Sequence, residues 1–170
     1  MVWIWIGWVL VLTFGIVVFR GAPYVPSRRR YIKQAFTDLY PLNSKDVLVD
    51  VGSGDGIVLR IASEYGTKAI GLELNPVLVL ISRLLSRRDK NVQVKLVDFW
   101  LTPLPDNTTV VYAFMVTRDI KKITKKMQAE ANRLGRSLAF ITYGNRLPGR
   151  EYNNALVGYA LYTFVPLQIS

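Results

Sequence analysis

Apolar positions along the chain take three forms: one unbroken run at the start, then short solid blocks that alternate with helical stripes. Residues 2–19, VWIWIGWVLVLTFGIVVF, carry no charge, and Thr13 is their only polar side chain. Solid apolar blocks bounded by turn residues read as strands buried on both faces. They occupy DVLVDVG (46–52), KAIGLEL (68–74), VQVKLVDF (92–99), TVVYAFMV (109–116), SLAFITYG (137–144) and YALYTFV (159–165). Between them the apolar spacing changes to that of a helix. SRRRYIKQAFTDLY (27–40) has Ser27 as its N-cap and a stripe of Ile32, Ala35, Phe36, Leu39 and Tyr40. Further helices are predicted over about 55–65, ending at Gly66, over 75–88 with Pro76 in the first turn, and over 117–134. The stretch LTPLPDNT, with two prolines, reads as a loop. Strands separated by helices predict an α/β domain: a parallel sheet with right-handed crossovers and helices on both faces.

The initial run is of a different kind. Eighteen helical residues at about 1.5 Å each reach roughly 27 Å, close to the hydrocarbon thickness of a bilayer. Arg20 snorkels at one end, and Trp3, Trp5 and Trp8 suit the opposite interface. The expectation is a retained transmembrane anchor over 1–20, a Pro-rich juxtamembrane linker over 21–27 and a folded domain over 28–170. A cleaved signal peptide is the weaker reading, because no basic n-region or small-x-small cleavage site is present. A helix buried in a partner is another alternative. Arg20, Arg28, Arg29, Arg30 and Lys33 follow the run, so the positive-inside rule places the amino terminus outside and the domain in the cytoplasm.

Composition narrows the chemistry. The chain has 170 residues, enough for one core, and contains neither Cys nor His. That removes the usual transition-metal ligands and the thiol nucleophile, so no metal site is expected. The formal net charge is +10, with basic clusters at 28–33, at 83–90 and along 118–126, where Arg118, Lys122 and Lys125 share a helical stripe. Three readings compete: a solvated face, attraction to anionic lipid, and nucleic acid, the least favoured.

The first predicted strand ends in VDVGSGDG (49–56). A glycine-rich turn at the carboxyl edge of a parallel sheet lets backbone pass close to a ligand. The spacing is Gly-x-Gly-x-Gly, not the Gly-x-Gly-x-x-Gly of dinucleotide folds. Asp50 ends the strand, where a carboxylate repels a pyrophosphate and attracts an ammonium or sulfonium. Glu73 ends the second strand, placed to accept ribose hydroxyls, and Asp98 ends the third, placed to accept an adenine amine against the ring of Phe99. Taken singly, each acid reads as a turn former or cap. Three on successive strand ends, beside the glycines, point to a ligand with a cationic amino-acid end and a ribose: S-adenosylmethionine.

VDVGSGDG, GLELNP and VDF together resemble the motifs of class I S-adenosylmethionine-dependent methyltransferases, over about residues 23–165. The resemblance implies a Rossmann-like sheet flanked by helices. It assigns cofactor contacts to Asp50, Gly52, Ser53, Gly54, Gly56, Glu73, Leu74, Asn75, Asp98 and Phe99. With PYVPS before the first helix, the pattern is similar to a group of protein-lysine methyltransferases. That group includes a broad-specificity archaeal enzyme and mitochondrial enzymes acting on the adenine nucleotide translocase and on the c-ring protein of ATP synthase. It implies N-methylation of lysine on a protein at a membrane surface. Two departures concern substrate choice: Ile57 stands where the group has Arg, and FITYGN replaces its Ser-His near the fifth strand's end. Tyr24, Tyr112, Phe114 and Tyr143 are the candidate walls of an amine pocket, since aromatic faces hold alkylammonium groups. A small-molecule or lipid methyltransferase, or a non-catalytic S-adenosylmethionine-binding membrane module, shares the same cofactor residues.

Overall fold

A computed structural model describes residues 1–5, 8 and 28–167. Most of the apolar run, the linker with Tyr24, and Ser27 lie outside the described residues. Among those described, no helix is long and apolar enough to cross a membrane.

Within residues 28–167 the first element is α1 (Arg29–Gln34), which continues into one π-helical stretch, Ala35–Leu39. Then follow β1 (Val47–Val51), α2 (Ile57–Ser63), β2 (Lys68–Glu73), α3 (Pro76–Leu85), β3 (Val92–Leu96) and β4 (Val110–Met115). A 3-10 turn, Thr117–Asp119, leads into α4 (Ile120–Leu134), and β5 (Leu138–Gly144), β6 (Asn154–Leu156) and β7 (Tyr159–Phe164) complete the order. The strands form one seven-stranded sheet in the order β3-β2-β1-β4-β5-β7-β6. Strands β1 to β5 run parallel, with helical crossovers after β1, β2 and β4 and a loop crossover over 97–109 from β3 to β4. The all-parallel expectation fails at the far edge. There β7 pairs antiparallel with both β5 and β6, because Val157 and Gly158 close a tight hairpin that no helix interrupts.

Alternation along the strands divides the core in two. Leu48, Ala69, Val94, Val110, Tyr112, Ile141 and Tyr159 face Ile32, Phe36, Leu39, Leu59, Ile61 and Val79 from the amino-terminal helices. The opposite positions, among them Val49, Leu72, Val111, Met115, Phe140 and Tyr162, face α4. That helix buries Ile120, Ile123, Met127 and Ala131, and its one buried acid, Glu130, is held by Arg133 at 2.8 Å and Lys126 at 3.6 Å. The 118–126 stripe is less free than its sequence implies. Arg118 sits in the 3-10 turn beside Asp119, and Lys122 lies 4.1 Å over the Trp100 ring.

Because β1 lies between β2 and β4, the sheet reverses its winding there. In an open α/β sheet that reversal leaves a crevice at the carboxyl ends of the two strands. Asp50 stands on one side of it, in register with Tyr112 on the other.

Candidate functional site

Two buried aspartates bracket β1, and their surroundings differ. Asp46, at the amino edge, accepts hydrogen bonds from the Asn43 backbone N–H and side-chain amide, from Thr109 Oγ1 and from the Tyr40 hydroxyl. Burial together with this carboxylate pushes the Tyr40 phenol up to about 12. Asp46 is thus a satisfied structural group. Asp50 is 3% exposed at the carboxyl edge. Burial, then Glu73, then Asp55 all push its carboxyl well above the ordinary range. A buried acid so placed fits a cationic ligand, which restores the charged form.

The glycine loop is built around this group. Gly52, Gly54 and Gly56 all have positive φ, at 73°, 55° and 78°, which side chains other than glycine adopt at a cost. Gly56 is also the N-cap of α2, and a Cβ there would run into Ser82 Oγ of α3. Between the first two of these glycines, Ser53 is 5% exposed, and its Oγ is buried with no hydrogen-bond partner. Gly71 of β2 leaves room for that serine, since a Cβ there would meet Ser53 Oγ and Leu59. An orphaned hydroxyl beside an uncompensated carboxylate is what a polar ligand end needs. Both observations fit S-adenosylmethionine at this edge.

Glu73 has a second task that its place at a strand end does not reveal. Its Oε2 accepts from Gly54 N–H at 2.9 Å and its Oε1 from Asn75 N–H at 2.8 Å, so it ties the loop to the end of β2. Each oxygen keeps a lone pair for a ribose hydroxyl. Asn75 caps α3, its Oδ1 accepting from Val77 and Leu78 N–H, with Pro76 at the first position. Leu74 lies half-buried between them. Arg60, one turn into α2, reaches back to the Asp55 carbonyl oxygen at 2.6 Å and its carboxylate at 3.5 Å. It places a guanidinium against the loop although Ile57 occupies the position where the similar group has Arg.

The third strand corrects the expectation. Strand β3 stops at Leu96, and Asp98 lies in the turn beyond it, its Oδ1 accepting from Trp100 N–H at 2.8 Å. Phe99 is buried in the core on the α4 side, with Lys126 Nζ 5.0 Å from its ring centroid. Its ring is committed to the core and offers no open face for a base.

The aromatic candidates also separate. Tyr24 is outside the described residues. Tyr112, expected as a pocket wall, is 2% exposed and packs edge-on against Phe36, so it lies beneath the surface. Phe114 and Tyr143, paired in register at the carboxyl ends of β4 and β5, remain partly open, with ring centroids 5.6 Å apart. Tyr143 stacks on Tyr159 at 4.6 Å, and the Tyr159 hydroxyl lies 3.4 Å from that of Tyr112. Burial, with the neighbouring Tyr143 and Asp50, pushes the Tyr159 phenol up to about 12, against the Tyr112 hydrogen bond. Sequence reasoning missed Tyr159 as a site residue, because an alternating strand signal does not show that β7 turns back to place its first residue beside Tyr143. The π-helical stretch puts Asp38 on the wall of a cavity of about 130 Å³ shared with Tyr31, Gln34, Leu156, Val157 and Tyr159.

A model of the family described as "Methyltransferase domain" matches residues 24–158. The lysine N-methyltransferase of the ATP synthase c-subunit from Xenopus laevis is 33% identical over 121 residues, which is 69% of this chain and 52% of that protein. Adenine nucleotide translocase lysine N-methyltransferase of Mus musculus is 33% identical over 112 residues, 64% of this chain and 48% of that protein. The chain therefore spans about half the length of the curated relatives it matches. Among solved structures, an RNA methyltransferase from Salinibacter ruber in complex with S-adenosyl-L-homocysteine superposes with a TM-score of 0.73. It is 22% identical, and the match covers 86% of this chain and 97% of that one. The glycine loop, the buried acid behind it and the family match over most of the described domain agree: this chain belongs to the methyltransferase domain family, with the fold of class I S-adenosylmethionine-dependent enzymes.

Proposed function

We propose that the chain is an S-adenosylmethionine-dependent N-methyltransferase that modifies lysine on a protein at a membrane surface. The observation that carries the cofactor assignment is Asp50, a carboxylate whose charged form is disfavoured by burial and by Glu73 and Asp55, together with the unpartnered Ser53 hydroxyl. The lysine assignment is supported by the two relatives, whose names state that activity for them.

Asp50 and Ser53 hold the amino-acid end of the cofactor, Glu73 the ribose, and Asp98 the base. When bound, S-adenosylmethionine supplies an electrophilic methyl group on sulfur, which a neutral amine accepts. Phe114 and Tyr143 present ring faces to the incoming ammonium and align its chain, which is where much of the rate of such a transfer originates. Tyr159 supports Tyr143 from behind. A phenol raised to about 12 stays protonated at neutral pH, so Tyr159 orients and does not act as a base. The chain has no His, and the proton of the lysine leaves to water.

Residues 2–19 form the anchor in this reading, with the amino terminus outside and the domain in the cytoplasm. The linker from Arg20 to Ser27 spans at most about 25 Å, which keeps the site near the lipid. The test uses a radiolabelled methyl donor, full-length protein and isolated membranes, followed by separation of protein from lipid and amino-acid analysis. N-methyl-lysine in the protein fraction is expected. Label confined to lipid, or to small molecules, would overturn the lysine assignment.

A further inference from the structure

Helix α3 is amphipathic in the reverse sense. Its buried side carries Val79 and Ser82, with Ser86 at the C-terminal cap, and both serine hydroxyls are buried without partners. Its outward side carries Val77, Leu80, Ile81, Leu84 and Leu85, of which Leu80 is 68% and Leu84 57% exposed. These five fall at the i, i+3, i+4, i+7, i+8 positions of one helical stripe, the spacing that normally faces a core. On the same face of the sheet, Leu96 of edge strand β3 is exposed as well.

Basic groups border the stripe. Arg83 lies along one margin, with its guanidinium fixed on the Val94 carbonyl oxygen at 2.8 and 3.0 Å. Arg87, Arg88 and Lys90 follow the helix and are exposed, and residues 75–88 contain no acid. An apolar face whose helix carries no acid, and whose rim holds four cations against Asp89, whose Oδ1 accepts from Asn91 N–H at 3.0 Å, matches an anionic lipid surface, with the leucines among the acyl chains and the guanidinium groups at the phosphates. Continuity with the site supports this occupant, since the stripe begins at Val77, two residues after the Asn75 cap and four after Glu73. The apolar run at 2–19 brings the domain within reach of such a surface.

We infer that the outward face of α3 is a second membrane contact, lying flat on anionic lipid and setting the carboxyl edge of the sheet against the bilayer surface. The inference rests on the reading that the domain works at a membrane, and the test separates the two. The chain lacks Cys, so single spin labels report cleanly. Leu84→Cys and Leu80→Cys place labels on the stripe, and Lys125→Cys places one on the exposed side of α4. The full chain is reconstituted into vesicles of phosphatidylcholine alone or with phosphatidylserine, and label collision with oxygen and with a water-soluble nickel complex is measured. The stripe labels are expected to be oxygen-accessible and nickel-shielded in phosphatidylserine vesicles, while the Lys125→Cys label stays open to nickel. Adding Arg87→Gln and Arg88→Gln is expected to shift the stripe labels' buried-to-exposed ratio about thirty-fold toward water, the worth of two basic groups near such a surface. Chain that floats with the vesicles while its stripe labels remain open to nickel overturns the role of α3 and leaves the anchor standing. Chain that does not float at all overturns both. Stripe labels buried equally in both lipids, with spin–spin broadening, assign the face to a second copy of the chain and overturn the lipid assignment.

Discussion

Replacing Asp50 by Asn should move stability and ligand binding in opposite directions. The substitution keeps the shape of the side chain and removes a charge that burial, Glu73 and Asp55 all disfavour. The melting temperature of the ligand-free protein is therefore held or raised. The sign follows from proton linkage. A carboxyl whose folded-state pKa exceeds its ordinary value binds more proton in the native than in the unfolded chain between those two pH values. Wild-type stability then falls as pH rises through that window, and the variant lacks the fall, so its advantage grows with pH. Binding responds the other way. A carboxylate about 4 Å from a unit cation, at an effective dielectric near 20, contributes about 4 kcal/mol, near a thousand-fold in affinity. Differential scanning calorimetry and titration calorimetry with S-adenosylmethionine read the two quantities on the same preparations. A variant that binds as tightly as wild type, or one that melts lower at every pH, would refute the assignment of Asp50 as the seat of the cation.

The same linkage sets the pH dependence of the wild type. Cofactor binding should strengthen as pH rises through the raised Asp50 pKa and release protons in that window, which titrations in buffers of different ionisation enthalpy detect. Gly56→Ala puts a Cβ into Ser82 Oγ at a φ of +78°, and a loss of about 2–4 kcal/mol is expected in denaturant unfolding. Adding Ser82→Ala should return only the contact part of that loss, and full recovery would show that the left-handed conformation is not required. Tyr159→Phe removes the hydroxyl that meets Tyr112, and a stability change under about 1 kcal/mol with a nearly unchanged kcat is expected. If kcat collapses and one limb of the pH–rate profile disappears, Tyr159 is a base and the proton does not leave directly to water. Tyr143→Ala should raise KM for a lysine peptide far more than it lowers cofactor affinity, measured by steady-state kinetics and calorimetry respectively.

The order of strands and helices is legible in the sequence because β1, β2, β4 and β5 are largely apolar blocks and three of the four crossovers between the parallel strands change to a helical period. What the sequence hides is geometry set by contacts far along the chain. Asp50 is readable as a strand-end acid, but the raising of its carboxyl depends on burial and on Glu73 and Asp55 being brought beside it. Glu73 is legible as a ligand group and not as the clamp on Gly54, since nineteen residues separate the two partners. Phe99 misleads because a ring after an acid looks the same in sequence whether it faces a ligand or the core. The three-residue strand β6 is too short to give a periodic signal, and the strand signal of β7 does not carry its antiparallel direction, so Tyr159 stays hidden beneath Tyr143. The outward leucines of α3 are visible as a helical stripe, but only the packed sheet shows that the stripe points away from the core.

Cofactor seating at the reversal of the sheet is tested most directly by photolabelling. Irradiating the full chain with radiolabelled S-adenosylmethionine and mapping the modified peptides should place saturable label within residues 47–60, 68–78 or 92–102, with excess unlabelled S-adenosylhomocysteine suppressing it. Saturable label confined to other segments, or none that the competitor displaces, would contradict the account.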